Sequence, residues 1–314
     1  MPLSLRRGTV TAITERHEGL VRLEVDGAVC IAYPRLTGPV ALGDEVLVNV
    51  QARALELGSG GFDILYANLT RGLELAAEPG THVMTLPYTP LQAAARHVEE
   101  GDRLAESLSG LPVVCCTVHS QVAPVCAALR GPRVAYVQIG GGALPVVLSD
   151  VVRVLREHGL LAHTVAAGPC TDADVQCVNV YSALAWCASR ADVIICSVGP
   201  GLVGTGTRLG HGAVAAAEAA NAASALGGAP VLAVRSSELD ERERHLGVSH
   251  HARTVQELCL GELTVPGPGD VDASGWREAC AGLPLSFMGR GPDEEPRFFE
   301  AAYAAGLVAR SKIP

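Results

Sequence analysis

From Leu111 onward the chain repeats one pattern: a short, almost unbroken apolar run, then a stretch long enough for a helix. The runs are "PVVCCTV", "RVAYVQI", "LAHTVAAG", "ADVIICSVG" and "APVLAVRSS". The stretches between them are 120–129, 144–158, 172–189 and 209–226. A strand that is apolar on both faces must be covered on both faces, and helical crossovers between parallel strands do this. The pattern predicts an α/β, Rossmann-like fold over 111–237, with a mostly parallel sheet and flanking helices. A chain that is 48% hydrophobic and 18% charged can bury such a core.

The N-terminal part reads differently. "GTVTAITER", "GLVRLEVDG", "AVCIAYPRL" and "DEVLVNV" are short β-branched segments punctuated by Gly8, Gly19, Gly27, Gly38 and Gly43. They predict a small β-barrel module, OB-like or SH3-like, over 1–57. The α/β domain then takes 58–314. Thr89 as N-cap and Pro90 at the first helical position predict an amphipathic helix to about Ser107. Further on, "LSFMG" predicts a strand, followed by a helix over 293–310.

Several classes are excluded. The formal net charge is −9 and no basic stripe occurs, so no nucleic-acid partner is expected, and the barrel is assigned to packing or homo-oligomer assembly. The N-terminus lacks a secretory pattern, and Glu218 and Asn221 interrupt the Ala-rich stretch 213–234, so a cytoplasmic protein without a membrane partner is expected. The ten cysteines form no C-x-x-C pair and read as buried thiols. The only lysine is Lys312. That excludes pyridoxal phosphate as cofactor, and a Walker loop.

In a parallel sheet, ligands bind beyond the carboxyl ends of the strands. Five polar or glycine-rich turns fall there: His119-Ser120, Gly140-Gly141-Gly142, 168–174, 199–207 and 235–240. "GPGLVG" spells G-x-G-x-x-G, but a dinucleotide fingerprint belongs to the first strand and wants an acid about 20 residues on. Here Glu238 and Asp240 come roughly 35 residues on. Gly199, Gly201, Gly204, Thr205, Gly206 and Thr207, with Gly140, Gly141 and Gly142, are candidates for holding an anion on backbone N–H groups; a tight strand–helix turn is the alternative. Asp172 is a candidate ligand contact or a helix cap. His119 is a candidate acid or base.

"SSELDERERHLGVSHHARTVQEL" is the most polar segment of the larger domain. His245, His250 and His251 are its candidate catalytic groups, and Arg235, Arg242 and Arg244 its countercharges. His250, His251 and Asp240 are candidate ligands for a divalent metal. Ser249 caps a helix that opens with the two histidines, where a neutral imidazole is favoured. "HVMTLPYTPLQ", with His82, Tyr88 and Thr89, is a candidate lid or rim.

The motifs "GGF…ANL", "YTPLQ", "VHS", "GGGALP", "VNVYS", "GPGLVGTGT" and "RERHLGVSHH" occur in this order over 60–251. Together they resemble an uncharacterised bacterial family, a domain of unknown function found in actinobacteria and Firmicutes. The resemblance implies no activity or catalytic residue. A more glycine-rich segment stands in that family where this chain has "GPCTDADVQC", which weakens any role for Cys170 or Cys177. The expectation is therefore a hydrolase or group transferase acting on a small anionic or phosphorylated metabolite. A non-catalytic ligand sensor or scaffold is the alternative.

Overall fold

The computed structural model describes residues 3–55, 61–71, 79–267 and 269–313. The chain divides into two compact units, Met1–Ala95 and Arg96–Pro314.

The first unit holds a closed barrel of β1 (Leu5–His17), β2 (Leu20–Val25), β3 (Ala28–Ala32), β4 (Glu45–Asn49) and β5 (Asp63–Asn68). Single helical turns α1 (Pro34–Thr37) and α2 (Gln51–Ala54) precede and follow β4. The order around the barrel is β1-β2-β3-β5-β4, with β3 and β5 parallel, which is the OB arrangement. Two register shifts in β1 let that long strand curve around the closure. Alternate residues point inward, and Val10, Val21, Leu23, Val25, Cys30, Val46, Val48 and Leu65 form the core. The boundary expected at residue 57 falls inside the barrel, because β5 lies beyond it.

The helix expected from Thr89 is absent. Thr89 and Pro90 instead sit in a turn, where the Thr89 hydroxyl donates to the Leu86 carbonyl. β6 (Val83–Thr85) and β7 (Ala93–Ala95) pair antiparallel across it. Asp/Thr-Pro starts serve turns as well as helices, and here the turn wins. Tyr88 at its tip is fully exposed.

In the second unit, β8 (Pro112–Cys116), β9 (Val134–Ile139), β10 (His163–Ala167), β11 (Val175–Cys177), β12 (Val193–Val198) and β13 (Ala229–Ala233) form one parallel sheet. The order is β11-β10-β9-β12-β8-β13. α3 (Val122–Ala128) and α4 (Asp150–Glu157) carry crossovers toward β10, while α5 (Val180–Cys187) and α6 (Ala215–Ala225) carry them back. Right-handed crossovers running in opposite directions must lie on opposite faces. Accordingly the sheet has two cores. One includes α3, α4, α8 (Trp276–Ala279) and α9 (Pro296–Ser311); the other includes α5, α6 and α7 (His250–Leu258). The alanines of α6 let its backbone approach the sheet closely. "LSFMG" is not a strand: Met288 and Gly289 both take positive φ and reverse the chain between Phe287 and Arg290.

The neighbours β9 and β12 send their following segments to opposite faces. This is the switch point at which open α/β sheets leave a crevice.

Candidate functional site

Two glycine turns cross at this switch point. Gly141 and Gly212 touch so closely that a Cβ on Gly212 would sit 1.9 Å from the Gly141 carbonyl oxygen. A Cβ on Gly142 would lie 2.3 Å from the Gly199 oxygen, and one on Gly199 2.1 Å from the Ala143 oxygen. Backbone bonds fasten the crossing: Ala143 N–H donates to Pro200, Val203 N–H to Gly141, and Gly212 N–H to Val203. Gln138, buried in β9, donates to the Ala143 and Leu144 carbonyls. Gly141 and Gly142 thus have a packing cause, the contact of two backbones, whereas a Cβ on Gly140 would meet only Pro169 at an ordinary 3.6 Å.

The rest of the stretch is a small hairpin. Gly204 bridges to His211, and Thr205 N–H donates to the Gly210 carbonyl. The Thr205 and Thr207 hydroxyls bond to each other at 2.9 Å. Thr205 Oγ accepts from Thr207 N–H, and Thr207 Oγ accepts from Gly210 N–H. These hydroxyls and N–H groups close their own loop rather than facing outward. Gly201 supplies a left-handed turn at φ 70°. Gly206 lies against the Arg244 guanidinium.

The hairpin delivers His211, which sequence reasoning missed, to three histidines from the polar segment. His211 stacks on His251 with ring centroids 4.0 Å apart and 27° between planes. His250 lies 5.2 Å from His211 and 4.4 Å from His251. His245 lies 4.8 Å from both His250 and His251. The only local clue was His211-Gly212 closing a glycine turn before a helix.

The partners of the four rings differ. His245 Nδ1 is 2.7 Å from Ser249 Oγ. Ser249 also caps α7, accepting from His251 N–H. Arg235 Nη1 donates to His251 Nδ1 at 3.3 Å. Both ring nitrogens of His211, and Nε2 of His250, are buried without a well-formed hydrogen bond, although the Arg208 carbonyl lies against the His211 ring and acts to raise its pKa. Burial, reinforced by nearby guanidiniums, pushes His245 down to about 3 and His251 to about 2, and lowers His211 and His250. All four are neutral at pH 7. The expectation of neutral histidines at this helix start holds, with burial as the main cause.

Arg235 follows β13 and is almost fully buried. It bonds Asp240, which also takes two side-chain bonds and one backbone bond from Arg242. Burial lowers the Arg235 guanidinium to about 10, so it remains charged. Asp240 was a candidate metal ligand, but both of its oxygens are engaged by arginines; among the described residues, the group of side chains able to hold a metal is His211, His250 and His251. Their ligand atoms lie within 4.8 Å of one another.

His119 has other work. Its Nδ1–H donates to the Val198 carbonyl, and Nε2 accepts from Ser149 Oγ at 2.6 Å. It ties the end of β12 to the cap of α4, and burial lowers it to about 4. Asp172 sits at φ 60° and accepts from Thr171 Oγ. Thr171 in turn is hydrogen-bonded to the segment after β9. Neither His119 nor Asp172 joins the imidazole cluster.

Beside the cluster is an open cleft of about 500 Å³, lined by Gly140, Gly141, Gly168, Asn179, His211 and Glu218 among others. His211 belongs to both. Fold and site together define an α/β protein with an OB-type barrel and four packed histidines at the carboxyl edge of its sheet. The family described as "Protein of unknown function (DUF3866)" matches residues 29–277, and the chain belongs to it. The matched span includes all four histidines. No curated protein matches the chain. Among the described residues, no helix is long and apolar enough to cross a membrane.

Proposed function

We propose that the protein is a hydrolase or group transferase for a small anionic molecule, a phosphorylated metabolite in the simplest case, with the imidazole cluster as its chemical centre. One observation carries this reading: four buried or half-buried neutral imidazoles, two of them with unbonded nitrogens, are packed together beside a buried arginine and an open cleft. A fold gains no stability from ring nitrogens left without partners, each of which costs about 1–3 kcal/mol. A cluster that carries this penalty, with its titrations perturbed and a cleft beside it, is what a ligand site offers.

In this reading Arg235 and Arg244 provide the countercharge. His245, His250, His251 and His211 surround the reacting group. The cleft walls at Gly140 and Gly141 admit the remainder of the substrate. The free thiols, nine of the ten buried, support a reducing, cytoplasmic setting.

The test is thermal denaturation with phosphate, pyrophosphate and nucleotides, followed by a hydrolysis screen over phosphate esters and anhydrides. A ligand at about 100 times its Kd stabilises the protein by about 2.7 kcal/mol, and Arg244→Ala weakens that effect. Turnover falls by about 100-fold or more in His250→Ala. Binding without turnover of any ester or anhydride would favour the ligand sensor; no response to any anion would end the reading.

A further inference from the structure

The unbonded nitrogens and the arginines around them make two demands that one ligand set meets. We propose that His211, His250 and His251 hold a late first-row divalent cation, zinc by its chemistry, and that an anionic group of the substrate is its fourth ligand. The anion rests on the function proposed above; the metal does not.

The geometry comes first. Three imidazoles from two separate segments, the hairpin after β12 and the first turn of α7, bring their ligand atoms within 4.8 Å of one another. A tetrahedral ion with bonds of about 2.1 Å needs edges of about 3.4 Å. Loading therefore draws the rings inward and opens the His211–His251 stack. His250 and His211 are the two rings that carry unbonded buried nitrogens. A metal satisfies one nitrogen on each, which no side chain in the surroundings does. An all-imidazole donor set suits zinc, copper, iron or nickel, and not magnesium or calcium, which take oxygen ligands. Three protein ligands leave a fourth position open, as in catalytic rather than structural zinc sites.

Charge comes second. Arg235, Arg242 and Arg244 act on the cluster, with Asp240 paired to the first two and Glu218 in the cleft that His211 shares. Neutral imidazoles do nothing to offset a dication placed there. An anion on the metal does, and it lies within the field of the same arginines. Arg235 links the two events. Its bond to His251 Nδ1 is long, at 3.3 Å. When His251 turns to the metal, that bond is given up, and the freed N–H can point at the anion.

The experiment uses the full chain, stripped with chelator. Calorimetry with zinc is expected to show one ion per chain, and cobalt(II) is expected to give the visible bands of a four-coordinate nitrogen-rich site. His211→Ala and His250→Ala should each lose stoichiometric binding, while His245→Ala keeps it. Circular dichroism checks that the variants fold; should His211→Ala not fold, the wild-type cobalt spectrum decides. Phosphate should tighten zinc about tenfold, and zinc should tighten phosphate by the same factor. Absence of a stoichiometric ion, or an ion kept by both alanine variants, overturns the metal centre even where phosphate still raises the melting temperature. Zinc bound by these histidines but indifferent to every anion upholds the metal and overturns the fourth ligand, together with the anionic substrate.

Discussion

At the carboxyl edge of the sheet, the glycine crossing and the imidazole cluster are neighbours in sequence, joined at His211-Gly212, and they are built by opposite rules. In the crossing, the polar groups that meet are used: carbonyls of Gly141, Ala143 and Pro200 accept bonds, and Gln138 fills what remains. In the cluster, buried nitrogens of His211 and His250 are left over. Two histidines make the contrast plain. His119 is buried and bonded at both nitrogens; His211 is buried with the Arg208 carbonyl against its ring but completes no well-formed bond at either nitrogen. Burial alone therefore says little about role. Between these two histidines, saturation of the ring nitrogens marks the difference; Asp63, Arg153 and Arg290 also carry buried atoms without a hydrogen bond, but outside any cluster of imidazoles.

The contrast can be broken at three points. Gly212→Ala attacks the crossing. Its Cβ would enter the Gly141 carbonyl, and the backbones on both sides are held. A loss of about 4 kcal/mol is expected in chemical denaturation; a near-neutral result would mean that the crossing is loose and the contrast false.

Acid tests the saturated histidine. His119 binds its proton less readily folded, at about 4, than unfolded, at about 6.5. Its contribution is fully present above pH 6.5 and is lost as the pH falls toward 4. Between pH 7 and pH 5 this amounts to about 2 kcal/mol. His119→Gln should flatten that part of the stability–pH curve, and an unchanged slope would deny His119 its structural role.

Thr205→Val addresses the junction. It removes the hydroxyl that bonds Thr207 and the Gly210 carbonyl. Stability should fall by only about 1 kcal/mol. Ligand response should fall more than stability does, because His211 is no longer held; equal losses would make the hairpin a scaffold only.

The fold was largely legible because its strands are buried on both faces. "PVVCC" and "VIICSV" are apolar throughout, and no other arrangement hides them. The edge strand β11 was not legible, since "VQC" is short, follows the polar "TDAD", and beyond β10 meets only a single bridge from His97. The expected helix at Thr89 failed on a local ambiguity that long-range pairing of "AAA" with "VMT" resolved. At the site, His245, His250 and His251 were visible as a polar segment after the last strand. His211 was not, because its place depends on a loop closed by hydroxyls. The glycines were ambiguous for a related reason: in sequence a glycine that admits a ligand and one that admits another backbone look alike.

The hairpin over 204–211 has a consequence for insertions and deletions. Exposed loops ordinarily tolerate changes of length. This one is exposed over most of its length, yet it is pinned at one end by Gly204 to His211 and immediately afterwards by Gly212 to Gly141. One residue more or fewer would swing the imidazole off α7 while leaving the sheet intact. A surface segment is thus under the spacing discipline of a core.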